Sequence, residues 1–247
     1  MLKEQWFPLL AKQQPEAQGE VKRFYTFGLS ESSLSDRLDG FALPEGARLG
    51  YRSARPCIEV KVFYPCPEPQ FTALIDSLRQ QLGEHVFSED QADWALHLQQ
   101  LMIAQNKKLV LAESCTGGGI AFAFTSASGS SDWFNQSWVT YSNDAKHTCL
   151  NVKEATLTTH GAVSQETVAE MATGAKDKSQ ANLVVTVSGI AGPGGGSADK
   201  PVGTVWFGFI CGEKKQEIKK LFSGGRDAVR AQAVRFAIAQ LLTMISE

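Results

Sequence analysis

The chain has 247 residues, 43% hydrophobic and 20% charged, with 24 Lys and Arg against 26 Asp and Glu for a net charge of -2. These proportions are those of ordinary globular proteins and exclude a fibrous or disordered chain, and the near-even charge argues against a nucleic-acid partner in the absence of a local basic face. No apolar run approaches the roughly 20 residues that cross a bilayer, and the start MLKEQWFPLLAKQQPEAQ lacks the apolar core of a signal peptide, so the expected setting is the cytoplasm with no membrane partner.

Composition changes near residue 90, upstream of which lie seven of the nine prolines. CIEVKVFYP reads as a strand, with Ile58, Val60 and Val62 alternating against Glu59, Lys61 and Phe63, and PCPEPQ reads as the loop that follows. PQFTALIDSLRQQLG places Phe71, Leu74, Ile75, Leu78 and Leu82 on one helical face and stops at Gly83. Residues 1–88 are therefore expected to form a small α+β module without a catalytic constellation.

Residues 89–247 alternate strands and helices, the pattern of an α/β layered domain. A helix is expected over 89–105, with Trp94, Leu98, Leu101 and Met102 on one face. KLVLAES follows as a short buried strand, GGGIAFAFTSA as a helix and SWVTYS as a strand. Next comes a helix over SQETVAEMATGAKDKSQ, with Ser164 as N-cap. NLVVTVSGI is a strand ending in glycine, AGPGGGSADKP a loop, VGTVWFGFI and EIKKLFS a strand pair, and DAVRAQAVRFAIAQLLTMI the closing helix.

Three of these segments, AESCTGGG, VTYSNDAK and SGIAGPGGGS, fall at strand ends, where ligands of α/β sheets gather. Ser114 is either a nucleophile on a tight turn or a helix cap, with Thr116 a competing cap, and Cys115 is a rival nucleophile at a helix N-terminus. Of the four histidines only His147 and His160 could serve as base, and nothing near them marks a partner acid. Lys146 is the other candidate, as a desolvated lysine near neutral pH or as an ordinary solvated one. The glycines 189–196 match neither a Walker loop nor G-x-G-x-x-G, leaving a backbone cradle or a plain connector. Arg226 suits an anion at a helix N-terminus or a surface ion pair with Asp227. The five cysteines are scattered and none forms C-x-x-C, which points to no disulfide framework and no metal.

In their order, AESCTGG, TYSNDAK, HGAVS, SGIAGPGGGSADKPVGTVWFG and FSGGRDAVR strongly resemble the C-terminal domain of CinA proteins, which also occurs alone as the nicotinamide-mononucleotide deamidase PncC. FYTFGLSESSLSDRL and ARPCIEVKVFYPCPEP resemble the small KH-like module that precedes it, although a G-x-x-G loop is not evident. MLKEQWFPLLA resembles the tail of a still earlier molybdopterin-binding-like domain, so the chain looks like a CinA protein without that domain.

The resemblance implies a three-layer α/β/α amidase fold. It also implies cofactor-free hydrolysis of the nicotinamide mononucleotide (NMN) carboxamide to nicotinate mononucleotide and ammonia. Ser114 would be the nucleophile, Lys146 the general base and Tyr141 an assisting hydroxyl. The amides of Thr116, Gly117 and Gly118 would form the oxyanion hole, and Arg226 with Gly192, Gly194 and Gly195 would grip the nucleotide. A homodimer is implied too, with Trp133 and Phe134 as expected exposed aromatics. The rival expectation is a catalytically silent nucleotide-binding or assembly domain.

Overall fold

The computed structural model describes residues 20–27, 29, 31–54, 57–64, 69–89 and 93–246. The expectation for MLKEQWFPLLA, and most of that for the loop PCPEPQ, lies outside them. The chain divides into two compact units, Met1–Ala92 and Asp93–Glu247.

The described elements of the first unit are β1 (Glu20–Thr26), α1 (Glu31–Leu38), β2 (Arg48–Ala54), β3 (Cys57–Tyr64), α2 (Gln70–Leu82) and β4 (Val86–Ser88). The strands form an antiparallel sheet in the order β2-β3-β1-β4. The alternation seen in CIEVKVFYP works as period 2 requires. Ile58, Val60 and Val62 turn to a core with Leu34 and Leu38 of α1 and Leu74, Ile75 and Leu78 of α2. On the other face Glu59 is buried to 1% exposure and pairs with Arg23 at 3.2 Å, Arg52 at 2.5 Å and Lys61 at 3.7 Å.

The second unit contains α3 (Trp94–Ala104), β5 (Leu109–Glu113), α4 (Gly119–Thr125), β6 (Phe134–Val139), α5 (Asn143–Leu150), α6 (Glu154–His160) and α7 (Gln165–Ser179). These are followed by β7 (Leu183–Gly189), β8 (Thr204–Cys211), β9 (Lys214–Leu221) and α8 (Arg226–Ser246). The sheet order is β6-β5-β7-β8-β9, in which β5 runs parallel to β6 and β7 while β8 and β9 are antiparallel. β5 is buried along its whole length and β7 along all but its last residue, because central parallel strands are covered on both faces. One face packs Val110, Ala112, Val184 and Ile210 against Leu150, Met171, Ala172 and Ala175. Toward the other, Phe207 meets Phe236 of α8 at a tilt, with ring centroids 4.7 Å apart, and Phe124 of α4 meets Trp133 edge-on. The unit is thus a three-layer α/β/α domain.

Three expectations change. The first helix of this unit begins at Trp94, because the Asp93 carboxylate takes the Ala95 and Leu96 amides as its cap. The segment between β6 and α7 holds two short helices, α5 and α6, that periodicity does not show. Trp133 is fully buried in an aromatic cluster with Phe124 and Phe134 and offers nothing to a subunit surface. α8 is long and apolar enough by length and composition to cross a bilayer, yet Val229, Ala233, Ala237, Ile238 and Leu241 are buried in this domain.

Candidate active site

The parallel strands β5, β6 and β7 end at one edge of the sheet with Glu113, Val139 and Gly189. The loops leaving them converge on a cleft lined by Ser114, Cys115, Tyr141, Lys146, Ser188 and Arg226, with Ala162, Val163, Gly189 and Ala191 between them.

Ser114 follows the last residue of β5 and is held by its own amide, which donates to Val187 O at 3.0 Å. The turn after it closes when the Gly117 amide donates to Ser114 O at 3.0 Å. Gly117 and Gly118 have φ of +59° and +88°, a region costly for any residue with a side chain. Neither Ser114 nor Thr116 caps α4, whose N-cap is Gly118. The capping group is the Glu113 carboxylate, fully buried, which accepts from Ile120 N at 3.1 Å and Ala121 N at 2.8 Å and takes the Thr116 hydroxyl at 2.7 Å.

Ser142 caps α5 by accepting from the Ala145 amide, which turns the first helical turn inward and carries Lys146 to 1% exposure. Its ammonium donates to Ser114 Oγ at 3.0 Å and to Thr140 O at 2.9 Å. Burial pushes the Lys146 ammonium down from 10.5 to about 8. Burial likewise pushes the Cys115 thiol up to about 12, so at neutral pH it is a protonated, weak nucleophile beside a serine that has a base.

The histidines lie elsewhere. His147 Nδ1 is 2.9 Å from Val152 O, His160 Nδ1 is 3.4 Å from Glu166, and neither lines the cleft. Tyr141 stands at the mouth, 59% exposed, its hydroxyl accepting from Arg226 Nη2 at 2.8 Å. Among the described residues that hydroxyl makes no hydrogen bond to Ser114 or Lys146, so it does not orient the pair directly. Arg226 also donates to Gly192 O at 2.9 Å, which settles it against the glycine loop and Tyr141 instead of Asp227.

Four of the glycines expected at the site, Gly117, Gly192, Gly194 and Gly195, are placed as follows. The Gly117 amide is committed to the turn, while the amides of Thr116 and Gly118 have no acceptor among the described residues, although neither residue lines the cleft. Gly194 and Gly195 are exposed and outside the cleft lining, and Gly192 turns its carbonyl to Arg226. Four residues gained importance only in three dimensions: Glu113, Thr140, Ser188, whose hydroxyl donates to Ala162 O at 2.7 Å, and Arg230, which donates to Thr116 O at 2.9 Å. Glu113 had a signal, since it is the one acid ending an apolar strand. Among the described residues no three or more His, Cys, Asp or Glu side chains gather as a metal set would require.

Fold and cleft together define an α/β/α domain that holds a buried serine-lysine pair at the carboxyl edge of its parallel strands. The chain belongs to the CinA C-terminal domain family, whose sequence model matches residues 91–245. It is 40% identical over 247 residues to a CinA-like protein of Shewanella piezotolerans, covering 98% of this chain and 58% of that one. A CinA-like protein of Shewanella loihica is 38% identical, with 100% and 59% covered. The chain thus spans less than two thirds of these relatives. Among solved structures it is similar to competence damage-inducible protein A (ComA) from Klebsiella pneumoniae, with TM-score 0.61 and 35% identity over 63% of this chain and 96% of that one. It is also similar to the competence/damage inducible protein CihA from Agrobacterium tumefaciens, with TM-score 0.60, 41% identity and 63% and 94% covered.

Proposed function

We propose that the chain hydrolyses the carboxamide of NMN to nicotinate mononucleotide and ammonia in the cytoplasm, using Ser114 as nucleophile and Lys146 as base. The observation that carries this is the buried Lys146 Nζ 3.0 Å from Ser114 Oγ. An amine held near pKa 8 has a free lone pair in a useful fraction of molecules at neutral pH. In that form it still donates to Thr140 O and accepts the Ser114 hydroxyl proton.

Ser114 Oγ then attacks the amide carbon, which the alkylated pyridinium ring makes more electrophilic than in free nicotinamide. The Thr116 and Gly118 amides receive the oxyanion, and the protonated Lys146 returns its proton to the leaving nitrogen, releasing ammonia. A water deprotonated by Lys146 hydrolyses the ester and frees Ser114. One positioned proton transfer is worth about 10²–10⁴-fold and one oxyanion donor about 10²–10³-fold, so the reaction needs both. Arg226, hydrogen-bonded to Tyr141 at the mouth, would meet the anionic part of the nucleotide in this reading.

Ammonia release from NMN, nicotinamide riboside, NAD and nicotinamide tests the substrate. NMN is expected to be fastest, with nicotinamide inert. Equal rates on nicotinamide and NMN would remove the nucleotide from the account, and no release from any of them would remove the amidase.

A further inference from the structure

We infer that Glu113 is a positioning residue for Ser114, fixing the nucleophile turn through its three hydrogen bonds; the inference rests on Ser114 being the nucleophile. Glu113 and Ser114 are adjacent at the end of β5, so their side chains leave opposite faces of the sheet. Ser114 faces the cleft and Lys146. Glu113 points to the other side, is 0% exposed and does not line the cleft. Both carboxylate oxygens are occupied, Oε2 by the Thr116 hydroxyl and the Ile120 amide, Oε1 by the Ala121 amide. It therefore touches no reacting atom.

Gly118 at the N-cap holds φ +88°, where a Ser or Asp would be strained, so the Ile120 and Ala121 amides are capped from a distance by the Glu113 carboxylate. Among the described residues no Lys or Arg forms an ion pair with Glu113, so the three donors and the positive end of α4 are what hold its charge. What the residue does, and a local cap does not, is tie the position preceding the nucleophile to the helix following it. Ser114 N is fixed on Val187 O, Thr116 O on Arg230, and Glu113 clamps Thr116, Ile120 and Ala121. Those bonds fix the backbone of Ser114 and so the Cβ from which its Oγ reaches Lys146.

Glu113→Gln keeps the shape, removes the charge and turns an amide N–H toward one of the three donors. The variant is expected to lower kcat by at least about 10-fold, since an ångström of misplacement costs up to about 10²-fold. KM should stay within about 3-fold because the mouth residues are untouched. The rate at which a fluorophosphonate acylates Ser114 should fall by the same factor as kcat, and the acid limb of the pH profile should stay in place. A variant with a lower Tm but wild-type kcat and labelling rate would overturn the proposal, leaving Glu113 as stabiliser only. If Glu113→Gln does not fold, Thr116→Val decides with the same readouts, since it is isosteric and keeps the carboxylate. A fall in kcat and labelling supports positioning, and unchanged rates overturn it. Failure of the underlying reading is separable: a wild-type protein that resists the label loses Ser114 as nucleophile, whereas a labelled protein inert toward NMN changes only the substrate and leaves the labelling comparison to decide.

Discussion

Moving an ammonium out of water is costly, and Lys146 is held at 1% exposure with Thr140 O and Ser114 Oγ as its ammonium's partners among the described residues. Its displacement from 10.5 to about 8 corresponds to roughly 3 kcal/mol of penalty on the charged form. Below pH 8 the folded and unfolded chains both hold the proton, and the full penalty is present. Between about pH 8 and 10.5 the folded chain has lost the proton that the unfolded one keeps, so stability recovers as pH rises. Lys146→Met is therefore expected to show its largest Tm advantage over wild type at pH 7 and a smaller one at pH 10, even after the cost of about 1 kcal/mol for an unpaired Thr140 carbonyl. A pH-independent Tm difference would mean that Lys146 is not desolvated. Activity should run the same way, with kcat/KM rising through about pH 8 as the amine becomes free. Steady-state assays of Ser114→Ala and Cys115→Ala divide the two nucleophiles: loss of about 10³-fold or more is expected for the first, and a rate within a few-fold of wild type for the second.

α5 carries the base, and its place is set at both ends, by the Ser142 cap and by contact of its last residue with α7. At Gly174 in the middle of α7 an added Cβ would lie 1.9 Å from Leu150 O, so the two helices meet backbone to backbone. Alanine favours helix over glycine by about 1 kcal/mol, but overpacking costs about 1–3 kcal/mol, and the clash here is with backbone. Gly174→Ala should lower Tm by several degrees and displace α5, reducing kcat by 10-fold or more. Wild-type melting and turnover for that variant would show that α5 is not braced there. The long elements were legible because their signals are periodic and local: the face of α2, the alternation of β3, the Ser164 cap of α7, the apolar β5 and β7. α5 and α6 were not, since each has fewer than nine residues and is mostly exposed, so neither writes an apolar stripe. The distinction between cap and nucleophile at Ser114 was also out of reach, because the capping group is Glu113, whose side chain reaches amides seven and eight residues further on.

For the whole chain, the separation into Met1–Ala92 and Asp93–Glu247 makes a simple claim: every residue of the cleft belongs to the second unit. Residues 93–247 expressed alone should fold and release ammonia with the kcat of the full chain, and a severe loss on truncation would require the first unit in the reaction. The order of the five motifs made the family legible without a structure, because the loops that build the cleft are short stretches at strand ends. What sequence could not supply was commitment of individual atoms: Gly117 to the turn, Gly192 O to Arg226, Tyr141 to the mouth. The most direct test of the central claim is rapid-quench intact-mass measurement of the protein mixed with NMN, followed by peptide mapping. A transient adduct with the mass of the nicotinoyl mononucleotide ester, mapped to Ser114 and absent from Ser114→Ala, is the expected result. An adduct on Cys115, or undiminished turnover by Ser114→Ala, would contradict it.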